Sequence, residues 1–172
     1  ELFAGVGGFR IGLEGTPGSA RNGPYKVVLS NQWEPATKRQ HAAEIYVQRW
    51  GLIPKEEGSN VYNHPEHQDD VFINDDIARI PAKEIPNHDL LVGGFPCQAF
   101  SIAGKQQGFS DTRGTLFFDI ARILSHKKPR HFVLENVRGL FSHDSGRTFQ
   151  TILRVLSDIG YMVQWELLGT IL

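Results

Sequence analysis

The stretch His88-Asp89-Leu90-Leu91-Val92-Gly93-Gly94-Phe95-Pro96-Cys97-Gln98 runs an apolar segment directly into a tight turn that carries the chain's single cysteine. Leu90 to Gly93 is too short for a helix, and an unbroken apolar run bounded by turn residues reads as a parallel strand buried on both faces. Open α/β sheets bind ligands in the crevice beyond the carboxyl ends of their parallel strands, which is where Cys97 falls. The glycines let a substrate come close to the backbone, and Pro96 fixes one dihedral of the turn, so the thiol is held rigidly. An isolated cysteine is by default a small buried hydrophobe. This setting points instead to a nucleophile.

Further strand-like runs flank this one: Lys26 to Asn31, His131 to Glu135, Met162 to Leu167, and Glu1 to Ala4 as the remnant of a first strand. Helix-period stripes lie between them. Ala43, Tyr46, Val47 and Trp50 form one, with Pro35 suited to its start; Leu116, Ile120, Ile123 and Leu124 form another. Ile152, Leu153, Leu156 and Ile159 form a third, closed by Gly160 as a C-cap. Alternating strands and helices predict an α/β fold, a doubly wound and mostly parallel sheet with helices on both faces. Pro54 to Asp70 is polar and rich in turn residues, and reads as an excursion between a helix and the next short strand.

With 172 residues and a net charge of −1, the chain fits one soluble globular domain, 1–172. One cysteine excludes an internal disulfide framework and fits a reducing compartment, and there is neither a signal peptide nor a long uncharged apolar stretch. The chain starts inside Leu2-Phe3-Ala4 and stops in Gly169-Thr170-Ile171-Leu172, so it reads as part of a longer protein. Lys and Arg are dispersed, without the basic patch of a self-sufficient nucleic-acid binder. His64 and His67 have the spacing of a metal pair but no third ligand near them, and are read as solvated loop histidines; no metal is assigned.

Phe3-Ala4-Gly5-Val6-Gly7-Gly8-Phe9 is the glycine-rich first turn of a nucleotide-type fold, yet the dinucleotide fingerprint fails because Arg10 stands where a third glycine belongs. A long side chain there is expected to disturb close helix packing. Such a loop suits a ligand without a pyrophosphate, for which S-adenosylmethionine is a candidate. In Gln32-Trp33-Glu34 an acid can hold ribose hydroxyls and an indole can lie on adenine, while at Asp75-Asp76-Ile77 a carboxylate can accept from the adenine amino group with Ile77 against the ring. Ordinary core for Trp33 and ordinary turn aspartates are the competing readings.

Taken together and in this order, these motifs resemble the DNA (cytosine-5) methyltransferases over nearly the whole chain. Phe3 to Gly8 resembles the family's first cofactor motif, Gly94-Phe95-Pro96-Cys97-Gln98 its nucleophile motif and Glu135-Asn136-Val137 its acid motif, and Gly114-Thr115-Leu116-Phe117-Phe118 is similar to a further cofactor segment. The resemblance implies a Rossmann-like S-adenosylmethionine-dependent methyltransferase fold. It implies a cofactor site of Phe3, Ala4, Gly5, Gly7, Gly8, Gln32, Trp33, Glu34, Asp76, Ile77, Pro96 and Leu116, and Gln98, Ser101 and Arg113 near DNA. Gln32 stands where the family usually has an acid, so either Gln32 or Glu34 holds the ribose. The family's Gln-x-Arg-x-Arg motif, target-recognition region and closing helix are not in this sequence, which implies an incomplete catalytic domain, inactive alone.

The chemistry implied is methyl transfer to carbon 5 of cytosine in DNA. Cys97 adds to carbon 6 of a flipped base, and Glu135, made neutral by partial burial beside Phe132 and Val133, meets ring nitrogen 3. The base that removes the carbon 5 proton is not identified. The partner implied is double-stranded DNA, in a bacterial restriction-modification setting, with the enzyme a cytoplasmic, nucleoid-associated monomer that leaves S-adenosylhomocysteine. A transfer-RNA cytosine methyltransferase and a catalytically silent DNA-binding regulator are the alternatives. A thiol hydrolase is disfavoured because no histidine is placed to activate Cys97.

Overall fold

A computed structural model describes residues 1–17, 22–96 and 116–169. Cys97, Gln98, Ser101 and Arg113 lie outside the described residues. The chain divides into two compact units, Glu1–Gly94 with Pro129–Leu134, and Phe95–Lys128 with Glu135–Leu172.

The first unit is built on strands. It contains α1 (Gly8–Glu14), β1 (Leu29–Asn31), α2 (His41–Trp50), β2 (Ile53–Pro54), β3 (Val61–Asn63), β4 (Val71–Ile73) and β5 (Leu90–Gly94). The strand order is β2-β3-β4-β1, and β5 pairs with β6 (His131–Glu135). Leu2 bridges the two sets by parallel contacts to Asn31 and Gly93. The β1 and β4 strands run parallel, Ser30 opposite Phe72. This parallel centre, with helices interleaved along the chain, is the doubly wound α/β arrangement the apolar runs predict.

The predicted strands are trimmed. Lys26 to Asn31 pairs only from Leu29, and the Glu1 to Ala4 remnant contributes Leu2 alone. The Pro54 to Asp70 excursion is more ordered than its polarity suggests: β2 and β3 add an antiparallel edge to β4. Their reversal is a turn in which Ser59 N–H donates to the Glu56 carbonyl, with Gly58 at φ 76°. Pro54 is tolerated there because its missing donor costs nothing on a sheet edge.

Helix α2 starts at His41 rather than near Pro35, because Gln40 closes a turn ahead of it. The Gln40 Oε1 accepts from Glu34 N–H at 2.7 Å, and its Nε2 donates to the Glu34 and Thr37 carbonyls. Ala43, Tyr46 and Trp50 then turn inward onto Phe72, with the Tyr46 and Phe72 rings stacked at 4.8 Å. Fully burying each such aromatic is worth about 1.5–3 kcal/mol. These residues, with Ala4 and Leu52, form the core under the glycine loop.

The second unit is helical. In α3 (Leu116–Lys127) the buried face is Phe117, Ile120, Ala121, Ile123 and Leu124; in α4 (Arg147–Asp158) it is Thr148, Ile152, Val155 and Leu156. Helix α4 ends as Gly160 predicts, in a Schellman motif. Gly160 N–H donates to the Ser157 carbonyl and Tyr161 N–H to that of Leu156, with Gly160 at φ 98°. Met162 to Leu167 forms no strand: a strand persists only where a neighbour takes its backbone hydrogen bonds, and no described strand does so here. Trp165 instead packs on Phe141 and Phe149 at 5.2 and 5.4 Å. Among the described residues no helix is long and apolar enough to cross a membrane.

Candidate cofactor and catalytic site

After Leu2 the chain leaves the sheet at once, with Phe3 at φ 54°, Gly5 at 54° and Gly7 at 90°. Phe3 is the informative one, since a bulky residue in the left-handed region costs about 1–3 kcal/mol and persists mainly where a site demands it. The loop is pinned from below: Ala4 N–H donates to the Asn31 carbonyl at 2.9 Å and Gly7 N–H to the Ala4 carbonyl at 2.8 Å. A Cβ at Gly7 would lie 2.6 Å from Trp50 Nε1, whereas at Gly5 and Gly8 it would meet nothing within 4 Å. One glycine lets the loop sit on the core; the other two present bare backbone to open space.

Three of the predicted cofactor segments meet at this end of the sheet. Gly5 N–H donates to Gln32 Oε1 at 2.8 Å, tying the loop to the end of β1. Asn31 Nδ2 donates to the carbonyls of Ile73 and Asp75 at 3.0 and 2.8 Å, tying β1 to the end of β4. The Asp76 Oδ1 accepts from Ala78 N–H and caps a single 3-10 turn over Ile77–Arg79, in which Ile77 is buried. Trp33 is half-buried and Glu34 turns its carboxylate toward α2, where Oε2 accepts from Ala42 N–H at 3.4 Å. Of the two ribose candidates, Gln32 therefore belongs to the loop and Glu34 to the helix start. The His64 and His67 rings lie 4.7 Å apart, and His64 Nδ1 accepts from Glu66 N–H.

Arg10 overturns the expectation that a long side chain there would disturb the packing. It is fully buried, stacked 4.2 Å over the Trp50 ring, with Nε donating to Glu14 Oε2 at 2.5 Å and both terminal nitrogens donating to the Asp70 carboxylate. Its Nη1 also donates to the Tyr46 hydroxyl at 3.3 Å. Burial alone would lower the guanidinium's affinity for its proton, but Tyr46 and Asp70 outweigh it and hold Arg10 above its ordinary value. Burial, helped by the Glu1 carboxylate, pushes the Tyr46 hydroxyl well up, so it stays protonated and donates to Glu1 Oε2 at 3.0 Å. Its oxygen then accepts from Arg10 and from Ser30 Oγ at 2.6 Å.

In the second unit Phe95 is buried against Phe117, ring centroids 5.7 Å apart, Pro96 is exposed and Leu116 is half-buried. Glu135 ends β6 exposed to solvent, and Val133 is 50% exposed, so the burial expected around the carboxyl group is not there. The cause is the alternation of β6, which turns His131, Val133 and Glu135 outward together. Next to it Asn136 Nδ2 donates to the Phe95 carbonyl at 2.7 Å.

Sequence reasoning gives no role to Asn31 or the Tyr46 hydroxyl, expects Arg10 only to disturb the packing, and places Asn136 in the acid motif without the contact it makes. Arg10 carried a legible signal, a charge pair with Glu14 four residues on that shares one helix face. The others act through partners distant in sequence and carried none.

Residues 1–170 match the sequence pattern of the family described as C-5 cytosine-specific DNA methylase. The chain belongs to this family. The match runs through the segment that holds Cys97. Among curated relatives, Type II methyltransferase M1.ScrFI of Lactococcus lactis subsp. cremoris is 44% identical over 97% of the chain and 35% of its own length. Type II methyltransferase M.SsoII of Shigella sonnei is 42% identical over 97% and 36%. Type II methyltransferase M.HhaI of Haemophilus parahaemolyticus is 40% identical over 99% and 44%. The chain thus spans well under half the length of these relatives. A crystal structure of a Spodoptera frugiperda DNMT2 variant overlaps 90% of the chain and 39% of its own, with TM-score 0.49 and 21% identity. Family membership agrees with the α/β fold and with the order of glycine loop, cysteine turn and acid.

Proposed function

We propose that this chain, residues 1–172, is the cofactor-binding and catalytic part of a bacterial restriction-modification enzyme that methylates carbon 5 of cytosine in duplex DNA. The observation that carries this reading is the convergence of the glycine loop, Gln32 and Asp76 at the carboxyl ends of parallel strands, in a chain of the C-5 cytosine-specific DNA methylase family.

The residues at that end suit S-adenosylmethionine. Gly5 and Gly8 leave room against bare backbone. Gln32 spends its oxygen on Gly5 and keeps its amide hydrogens for a ribose oxygen; Asp76 spends one carboxylate oxygen on Ala78 and keeps the other for an adenine amino group. Trp33, Glu34 and Ile77 with Phe3, Ala4 and Gly7 complete this side, and Pro96 and Leu116 are assigned to the same ligand. The cofactor supplies a methyl group on a sulfonium, an electrophile that cytosine carbon 5 is too weak to attack unaided.

Cys97 overcomes that weakness. Its thiolate adds to carbon 6, the ring gains negative charge, and Glu135 faces ring nitrogen 3, where that charge collects. An exposed Glu135 is open to an incoming base, and the base itself then excludes water from the carboxyl group. After methyl transfer the carbon 5 proton leaves and Cys97 is expelled. A base inside a duplex must be extruded for this, and Gln98, Ser101 and Arg113 are assigned to the DNA. The family's description as a C-5 cytosine-specific DNA methylase supports DNA over transfer RNA as substrate. In this reading the enzyme acts as a monomer in the cytoplasm.

The test uses the full-length protein. Cys97→Ala abolishes methyl transfer and the covalent adduct with duplex DNA carrying 5-fluorocytosine, yet binds S-adenosylhomocysteine as the wild type does in calorimetry. Trp33→Ala weakens that binding. Residual methylation by Cys97→Ala refutes the mechanism, and no binding by wild type refutes the cofactor.

A further inference from the structure

The peptide between Asp75 and Asp76 is held at both of its polar ends. Its carbonyl, that of Asp75, accepts from Asn31 Nδ2 at 2.8 Å, and its N–H, that of Asp76, donates to Asp75 Oδ1 at 2.7 Å. The second clamp is a side chain, and it holds the peptide only as firmly as it is held itself. Arg79, exposed and from the same turn, stands 3.7 Å from Oδ1. The other carboxylate oxygen is taken from outside the turn: Asn60 Nδ2 donates to Asp75 Oδ2 at 3.0 Å. Asn60 belongs to the β2–β3 hairpin. It continues the register of Val61 opposite Ile73 by one pair, since Asn74 N–H donates to the Asn60 carbonyl at 2.8 Å. Backbone and side chain of one hairpin residue thus grip two consecutive residues at the end of β4.

From this we infer that Asn60 is a positioning residue for the Asp76 carboxylate, so that the β2–β3 hairpin, which carries no motif, helps set the recognition of the adenine 6-amino group. The inference rests on the assignment of Asp76 to that amino group. With the peptide before it fixed, the Asp76 side chain leaves in a defined direction, one oxygen spent on Ala78 N–H and the other left for the ligand. Holding an acceptor in place before the ligand arrives removes the cost of ordering it on binding. The chemistry at position 60 is specific. A neutral donor is required toward Asp75, which asparagine supplies and aspartate does not, since a second carboxylate would face the first with like charge. Asn60 is exposed, so a change there leaves the core untouched.

The test compares two ligands on the full-length protein by calorimetry: S-adenosylhomocysteine, and its analogue with hydrogen in place of the adenine 6-amino group. Wild type prefers the parent ligand by about tenfold, the worth of one hydrogen bond to a charged acceptor. In Asn60→Asp the preference falls to about twofold through weaker binding of the parent ligand, while affinity for the analogue and the thermal midpoint of the ligand-free protein stay at wild-type values. The double variant Asn60→Asp/Asp75→Asn reverses donor and acceptor across the contact and still offers an oxygen to Asp76 N–H, so it restores most of the preference. An undiminished preference in Asn60→Asp overturns the inference, as does a double variant no better than the single one. A matching loss of analogue affinity and thermal midpoint overturns it too, by marking Asn60 as merely structural. Wild-type protein serves as the reference: equal binding of the two ligands overturns the assignment of Asp76 and the inference with it, and binding of neither overturns the cofactor.

Discussion

Replacing Arg10 by methionine keeps the length and most of the volume of the side chain, so the packing cost stays under about 1.5 kcal/mol. The electrostatic cost is larger. Arg10, Glu14 and Asp70 are all at most 1% exposed, and one guanidinium serves both carboxylates. Removing one member of a buried pair costs about 3–5 kcal/mol because a charge is left out of water without its partner. Arg10→Met takes a guanidinium away from two such carboxylates, which places it at the upper end, about 5 kcal/mol. For a folding unit of this size that corresponds to a fall of about 10–20 °C in thermal midpoint, read by calorimetry on the full-length protein. The decisive comparison is the triple variant Arg10→Met/Glu14→Leu/Asp70→Leu. With all three charged groups replaced by apolar ones, it should recover to wild-type stability or exceed it by about 1–4 kcal/mol. A fall of less than about 3 °C for the single variant would refute the account, since it would mean the cluster is hydrated. A triple variant no better than the single would refute it too, by showing that shape rather than charge holds α1 on the core.

Two further outcomes follow from the loop. Gln32→Ala removes the acceptor for Gly5 N–H and a donor to the ligand, so S-adenosylhomocysteine affinity should drop about tenfold by calorimetry, the worth of one net hydrogen bond of about 1.4 kcal/mol; unchanged affinity would detach Gln32 from the site. Gly7→Ala combines a left-handed φ with a Cβ 2.6 Å from the Trp50 indole, so it should cost at least about 2 kcal/mol of stability in urea unfolding, whereas Gly8→Ala, with open space at its Cβ, should cost well under half of that.

Periodicity and turn chemistry made the parallel centre, the three long helices and the Gly160 stop legible, because each depends on residues close in sequence. The glycine loop and the Gln32 to Glu34 segment were legible for the same reason. What stayed hidden depends on distance in sequence. The β2 and β3 edge is two and three residues long, below the length at which alternation can be counted. Met162 to Leu167 has a strand's composition but no neighbour to complete it among the described residues. Glu135 was expected to be buried because the residues before it are apolar, but the side to which each β6 residue points decides its exposure, whatever the character of its neighbours in sequence. Asn136 sits 41 positions from the carbonyl it serves, and Arg10 60 from Asp70. No window along the sequence spans such pairs.

The use of an amide at position 32 has a consequence for the conditions under which the loop keeps its shape. The tie between Gln32 and Gly5 is made by a group that neither gains nor loses a proton across the range in which carboxylates titrate. A carboxylate in the same place would grip the loop with a full charge and would let go of it on acidification. The corner therefore gives up the extra strength of a charge-assisted bond and gains indifference to acidity and to ionic strength. The loop keeps this form wherever the rest of the chain remains folded.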